Sequence, residues 1–227
     1  MTKNQKDNYV IEKENHLSRA SQFVSENANS LAIIGVAIVL LVSLYLGYQK
    51  FYLAPRADKA VNEMFRAEQY AATDPSADKA IEGDGSYPGF EKIAEEYSNT
   101  KSANLANVYL GGLYLKKGEY QQAINALGKY SQTGSPIVDP LVFGMLGDAY
   151  CELKDYKKAT TFYKKAIDKA PNDFISPLFL KKLGLVYEEQ KDYSAASKVY
   201  NKIKTNYPNS SEATFVNAYI ARVEAHL

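Results

Sequence analysis

The side chains in this sequence that could carry chemistry are few and scattered. His16 and His226 stand in opposite flanking segments. Acid–base catalysis needs a titrating group within hydrogen-bond reach of the proton it moves, and neither histidine has a partner nearby in sequence. Cys151 is the only cysteine. A thiol becomes a nucleophile when a neighbouring cation or base lowers its pKa, and no histidine adjoins this one. It reads as a small packing residue. The paired carboxylates Glu95-Glu96 and Glu188-Glu189 fall in helical stretches and read as solvated helix faces. No His/Cys/Asp cluster has metal-ligand spacing, and no glycine-rich loop follows a strand. The sequence therefore implies no enzyme, no cofactor and no small-molecule substrate.

Composition narrows the partners. The net charge is +1, with 27 basic and 26 acidic side chains. No basic stripe is available to track phosphates, which argues against nucleic acid. A single cysteine cannot close an internal disulfide, so cysteine usage leaves the compartment open.

The elements begin with Leu31 to Tyr48, reading LAIIGVAIVLLVSLYLGY. No charge falls between Glu26 and Lys50. As a helix the run covers roughly 27 Å, near the roughly 30 Å of a bilayer's hydrocarbon core. Only a helix satisfies its own backbone in lipid, so residues 30–50 read as an uncleaved transmembrane anchor. The tail before it, 1–29, is polar. Leu17, Ala20, Phe23 and Val24 fall near helical spacing, which fits a short interfacial helix or a solvated extension.

Beyond the anchor, Pro55 suits the first turn of a new helix that ends near Ala72. Ala57, Ala60, Val61, Met64 and Phe65 give it an apolar stripe. Thr73 to Ser86 reads as an acidic loop with a helical turn around Ala77 to Ile81. A second helix follows over Gly89 to Tyr97. Residues 55–99 thus form a divergent helical hairpin.

From there the chain repeats. Asn107 to Tyr114 reads NVYLGGLY, Phe143 to Tyr150 reads FGMLGDAY and Leu180 to Tyr187 reads LKKLGLVY. Each is followed by a tyrosine, an alanine and further apolar positions at matching offsets. The pattern resembles the tetratricopeptide repeat, W-x2-L-G-x2-Y, then A-x3-F, then P. Phe143 and Leu180 fill the tryptophan slot, and Asn107 fills it less well. Extra residues fall around Gly134 to Pro140 and Asp173 to Pro177. Gly111, Gly147 and Gly184 let two helices approach closely, and Ala123, Ala159 and Ala196 are small for the same reason. Tyr114, Tyr150 and Tyr187 fill space between hairpins, while Pro171 and Pro208 stop the second helices. Residues 104–209 read as three repeats. Residues 210–227 read as a capping helix that starts at Ser211 and turns Phe215, Tyr219 and Val223 inward. The fold class is all-α: a single N-terminal transmembrane helix followed by a solenoid of tetratricopeptide repeats.

The resemblance implies a concave groove lined by the first helix of each hairpin. Mapped here, the candidates are Val108, Leu115 and Lys116, then Leu141, Asp148 and Glu152, then Lys181, Leu185 and Glu188. A Lys/Asn carboxylate clamp is missing, since Val108, Gly112, Gly144 and Asp148 occupy its slots.

The layout as a whole, with the block FEKIAEEYSNTKSANLANVYL from Phe90 to Leu110, is similar to the bacterial YfgM-like proteins, ancillary subunits of the Sec translocon. That resemblance implies a bacterial inner-membrane protein, N-terminus cytoplasmic and repeats periplasmic. It implies protein partners: Sec channel subunits, a membrane-anchored periplasmic chaperone and exported clients. An envelope assembly or cell-division scaffold is the alternative. Local charge points the other way on orientation. Lys50, Arg56, Lys59 and Arg66 follow the anchor, against Lys13 and Arg19 before it, but the positive-inside rule weakens for long flanking domains.

Overall fold

The computed structural model describes residues 23–75, 77–169 and 172–227. Leu17, Ala20 and Pro171 lie outside the described residues. The chain divides into two compact units, Met1–Pro55 and Arg56–Leu227.

In the first unit, α1 spans Ala28–Tyr48 and buries none of its residues. Its side chains are apolar on every face, as lipid requires and water does not. The helical run Ala28–Thr73 contains a window apolar and long enough to cross a membrane. Pro55 does not open a separate helix. A π turn at Gln49–Leu53 joins α1 to α2, Ala54–Thr73. The Ala54 N–H reaches back five residues to the Gln49 carbonyl. A proline removes one backbone donor and crowds the carbonyl four residues earlier, and a widened turn just before it relieves both.

Every regular element among the described residues of the second unit is a helix, apart from one isolated bridge between Gly83 and Pro88. After α2 come α3, Asp78–Ile81, and α4, Phe90–Glu96. Three hairpins follow: α5, Lys101–Lys117, with α6, Tyr120–Gly128; α7, Val138–Glu152, with α8, Tyr156–Lys169; and α9, Ile175–Glu189, with α10, Tyr193–Asn206. The last helix is α11, Ala213–Glu224. From α3 on, each helix packs on its sequence neighbours, the arrangement of a solenoid.

The three hairpins share one geometry. Their inner turns each place a residue in the left-handed region: Gly118 (φ 78°), Lys154 (φ 59°) and Lys191 (φ 58°). Only the first is a glycine, so the fold imposes this turn even where lysine bears its steric cost. The glycines of the first helices meet large side chains of the second. An added Cβ would lie 2.3 Å from Leu127 at Gly111, 2.5 Å from Tyr163 at Gly147 and 2.3 Å from Tyr200 at Gly184. Ala123, Ala159 and Ala196 are wholly buried beside these contacts.

Several expectations shift by one helical position. In α2, Ala60, Met64 and Ala67 turn inward, while Val61 and Phe65 stay exposed. Spacing of four and three residues keeps the first set on one face; a single-residue step rotates by about 100°. In α11 the inward set is Val216, Ile220 and Val223, not Phe215, which is 65% exposed. Tyr219 stacks on Tyr200 at the margin of the core, with ring centroids 5.3 Å apart. Ser210, not Ser211, accepts the first free N–H, that of Ala213. Pro140 and Pro177 belong to the first turns of α7 and α9, where a missing N–H costs nothing.

Candidate protein-binding groove

The first helices α5, α7 and α9 present matching faces side by side, and two clefts open along them. One holds about 510 Å3 and is walled by Val108 and Gly112 of α5, Met145 of α7, and Ala71 and Ala72 of α2. The other holds about 780 Å3, and its lining includes Leu115, Asp148, Cys151, Glu152, Lys182 and Leu185. Leu105, Leu141 and Leu185 remain 37%, 37% and 41% exposed on three consecutive first helices. Burying apolar surface gains roughly 25 cal/mol for each Å2, so leucines left out on every first helix, two of them (Leu105 and Leu141) in the same repeat slot, mark surface reserved for something else.

The nine candidate residues divide into two groups. Val108, Leu115, Glu152 and Leu185 line the clefts, Leu141 and Lys116 are exposed on the same helices, and Asp148 also faces the larger cleft. Asp148, Glu188 and Lys181 are engaged within the chain. Asp148 accepts from the Tyr163 hydroxyl at 2.7 Å and pairs with the Lys182 ammonium at 2.7 Å. Glu188 accepts from the Tyr200 hydroxyl at 2.6 Å and takes a bidentate grip from Arg222 of α11, at 2.8 and 2.7 Å. Lys181 lies 3.9 Å from Glu212.

A pattern emerges that the sequence did not announce. A tyrosine on the second helix fills the space over the glycine of the first. Its hydroxyl then needs an acceptor, because a buried polar group without one costs free energy. Asp148 and Glu188 supply it for Tyr163 and Tyr200; in the first hairpin Leu127 takes the place over Gly111, and it is the first-helix Tyr114 whose hydroxyl donates to Glu91. Burial pushes all three phenols well up from their ordinary pKa, and the carboxylates push further. Burial alone would raise the Glu188 carboxyl, but the Arg222 guanidinium and the Tyr200 hydroxyl outweigh it and hold the group below the usual range. A depressed carboxylate stabilises the fold above its unfolded pKa, and that contribution disappears as pH falls through the folded value. Glu188→Gln should therefore lower stability at neutral pH, and the gap from wild type should close below the ordinary carboxylate range. Urea unfolding at a series of pH values checks this.

Residues outside the family's groove slots also contribute. Glu68, Ala71 and Ala72 of α2 wall the smaller cleft. They come from α2, which carries no repeat signature, so only the three-dimensional packing reveals them. Val61 and Phe65, 60% and 69% exposed, continue the same α2 face as Glu68 and Ala72. Cys151 lines the larger cleft, where burial raises its thiol pKa and the carboxylates of Glu152 and Asp148 raise it further. Such a thiol is a poor nucleophile at neutral pH. Among the described residues no group of three or more His, Cys, Asp or Glu is placed to hold a metal.

Residues 140–173 and 182–210 each match a family model of the tetratricopeptide repeat. The chain carries tetratricopeptide repeats. The matches fall on α7–α8 and α9–α10; the α5–α6 hairpin shares their turn and glycine contact. No curated protein sequence matches the chain. Among solved structures, the crystal structure of BtubC (BKLC) from P. vanneervenii is similar with a TM-score of 0.44 and 14% identity, over 78% of this chain and 67% of that one.

Proposed function

We propose that the protein is a membrane-anchored scaffold whose concave tetratricopeptide groove captures an apolar segment of a protein partner. The observation that carries this reading is the unfilled apolar cleft of about 510 Å3 between α2, α5 and α7. Its floor is Gly112, where an added Cβ would meet nothing closer than the Met145 sulfur at 3.8 Å. Gly112→Leu should leave the fold intact and fill the cleft. Partner capture by in-cell crosslinking from Leu141 or Glu152 should then fall about tenfold or more, the loss expected when one buried anchor is excluded. Unchanged capture would remove the groove from consideration.

The partners we favour are Sec channel subunits, an envelope chaperone and exported clients, with the repeats on the periplasmic side of a bacterial inner membrane. Support comes from the layout and the Phe90 to Leu110 block. Recovery of cell-wall or outer-membrane machinery instead would favour an envelope-assembly scaffold. Orientation has its own test. In a Cys151→Ala background, Ser86→Cys should react with a membrane-impermeant thiol reagent in spheroplasts, and Asn4→Cys should not. Ser86 suits this better than its neighbour Asp84, whose carboxylate holds the loop through Tyr70 at 2.5 Å and the Ser86 and Tyr87 N–H groups at 2.9 and 2.8 Å. The reverse labelling would end the translocon reading, because a cytoplasmic solenoid could not meet clients as they emerge.

A further inference from the structure

Both long edges of the solenoid carry exposed lysines (Lys116, Lys117, Lys154, Lys157, Lys158 and Lys191 at the first), but they differ in how they place carboxylates. At one edge the first helices end and the second helices begin. Glu119, Asp155 and Asp192 occupy the same slot there, just before α6, α8 and α10. At the other edge the second helices end and the first begin. Lys129, Lys165 and Lys202 share a slot near the ends of α6, α8 and α10, and Lys169 and Lys204 follow in the last turns. All five lysines are exposed. Helix-dipole complementarity accounts for this sorting by itself. It does not account for Ile137 and Phe174. These two hold the same repeat position, immediately before α7 and α9, and stand 59% and 87% exposed. Two large apolar side chains thus project from the basic edge at consecutive repeats. Asp173 is the acidic residue next to Phe174 in the chain.

The chain also enters the unit at this edge. The Arg56 guanidinium donates to the Glu96 carbonyl and lies 5.6 Å from the Tyr97 ring centroid, at the end of α4. The start of α5 is tied to the end of α6 by the Asn104 side chain, which bonds Ser131 N and O at 2.7 and 2.8 Å. Arg56 follows the apolar stretch by only a few residues.

We infer that this edge docks on an anionic lipid surface, with Ile137 and Phe174 entering the interface and the lysines meeting headgroup phosphates. Exposed apolar side chains on an edge whose lysines face no repeated carboxylate slot are a combination suited to such surfaces, and each part alone is weak. Attachment of the same chain to the bilayer raises the effective concentration, so weak contacts suffice. The inference rests on reading Ala28–Tyr48 as a membrane span.

The chain has no tryptophan, so a single introduced one reports alone. The full-length protein, reconstituted in vesicles containing brominated phospholipid, would carry Phe174→Trp, Leu153→Trp or Tyr45→Trp in turn. Leu153 lies 45% exposed at the opposite edge, and Tyr45 lies in the apolar helix. Quenching of the tryptophan at 174 should exceed that at 153 by about twofold or more, should need anionic lipid, and should weaken with salt. If 174 is quenched no more than 153 while 45 is quenched, the edge does not dock and the anchor reading stands. Equal quenching at 174 in purely zwitterionic vesicles overturns the role given to the lysines. An unquenched tryptophan at 45 shows that the chain is not in the bilayer, and both readings fall together.

Discussion

Tyr200→Ala is expected to destabilise the repeat unit by about 3–5 kcal/mol, the largest single-residue effect in the fold. Tyr200 is wholly buried, its ring lies against Gly184, and Tyr219 stacks on it from α11. Removing the ring opens a cavity at the junction of α9, α10 and α11. It also takes the hydroxyl from Glu188, which keeps Arg222 as its remaining partner. Tyr200→Phe separates the two effects. It preserves the packing and removes one hydrogen bond to a charged carboxylate, so about 1.5–3 kcal/mol should be lost. Urea denaturation followed by circular dichroism gives both values. An alanine variant as stable as the phenylalanine variant would show that the ring is not the keystone of this junction.

Glycine to alanine should have opposite signs at two positions on neighbouring first helices. At Gly144 the new Cβ would lie 2.1 Å from the ring of Phe179, which is 2% exposed and held by its own neighbours. The helices must part, and overpacking of this kind costs about 1–3 kcal/mol. At Gly112 the nearest atom is 3.8 Å away. There alanine restores helix propensity and should stabilise by roughly 0.8–1 kcal/mol. The same chemical change thus reports whether a glycine is there for a close approach or lies in an open cleft. Melting temperatures of Gly144→Ala and Gly112→Ala should move apart in opposite directions; parallel movement would refute the contrast.

The fold was legible because its determinants are local and repeated. Gly147, Ala159 and Tyr163 lie within one hairpin, so spacing alone identifies their contact. What escaped was phase at the ends. Val61, Phe65 and Phe215 read as inward because apolar residues at helical spacing define a broad face, and one residue of rotation decides which members are covered. The groove was half legible. Leu141 and Leu185 could be assigned from repeat slots, but Asp148 and Glu188 could not be recognised as acceptors for Tyr163 and Tyr200. That pairing needs the second helix folded back on the first. The Phe90 to Leu110 block is divided: Phe90, Ile93, Ala103 and Ala106 are buried and Phe90 stacks on Tyr109 at 4.7 Å, while Leu105 and Val108 wall the smaller cleft. Its buried residues define how α4 and α5 pack, and its outward ones belong to the candidate groove.

The left-handed turn shared by Gly118, Lys154 and Lys191 bears on how such a chain can lengthen. Every hairpin turns back through the same backbone geometry and touches only its immediate neighbours. A duplicated copy of α7 through α8 would find matching surfaces on both sides without any change elsewhere. The final helix, which meets its neighbour through Val216, Ile220 and Val223, would simply be carried outward as a reusable lid. Gene duplication within this stretch is therefore a step natural selection can take in one move, extending the binding face by a repeat while the ends of the molecule stay as they are.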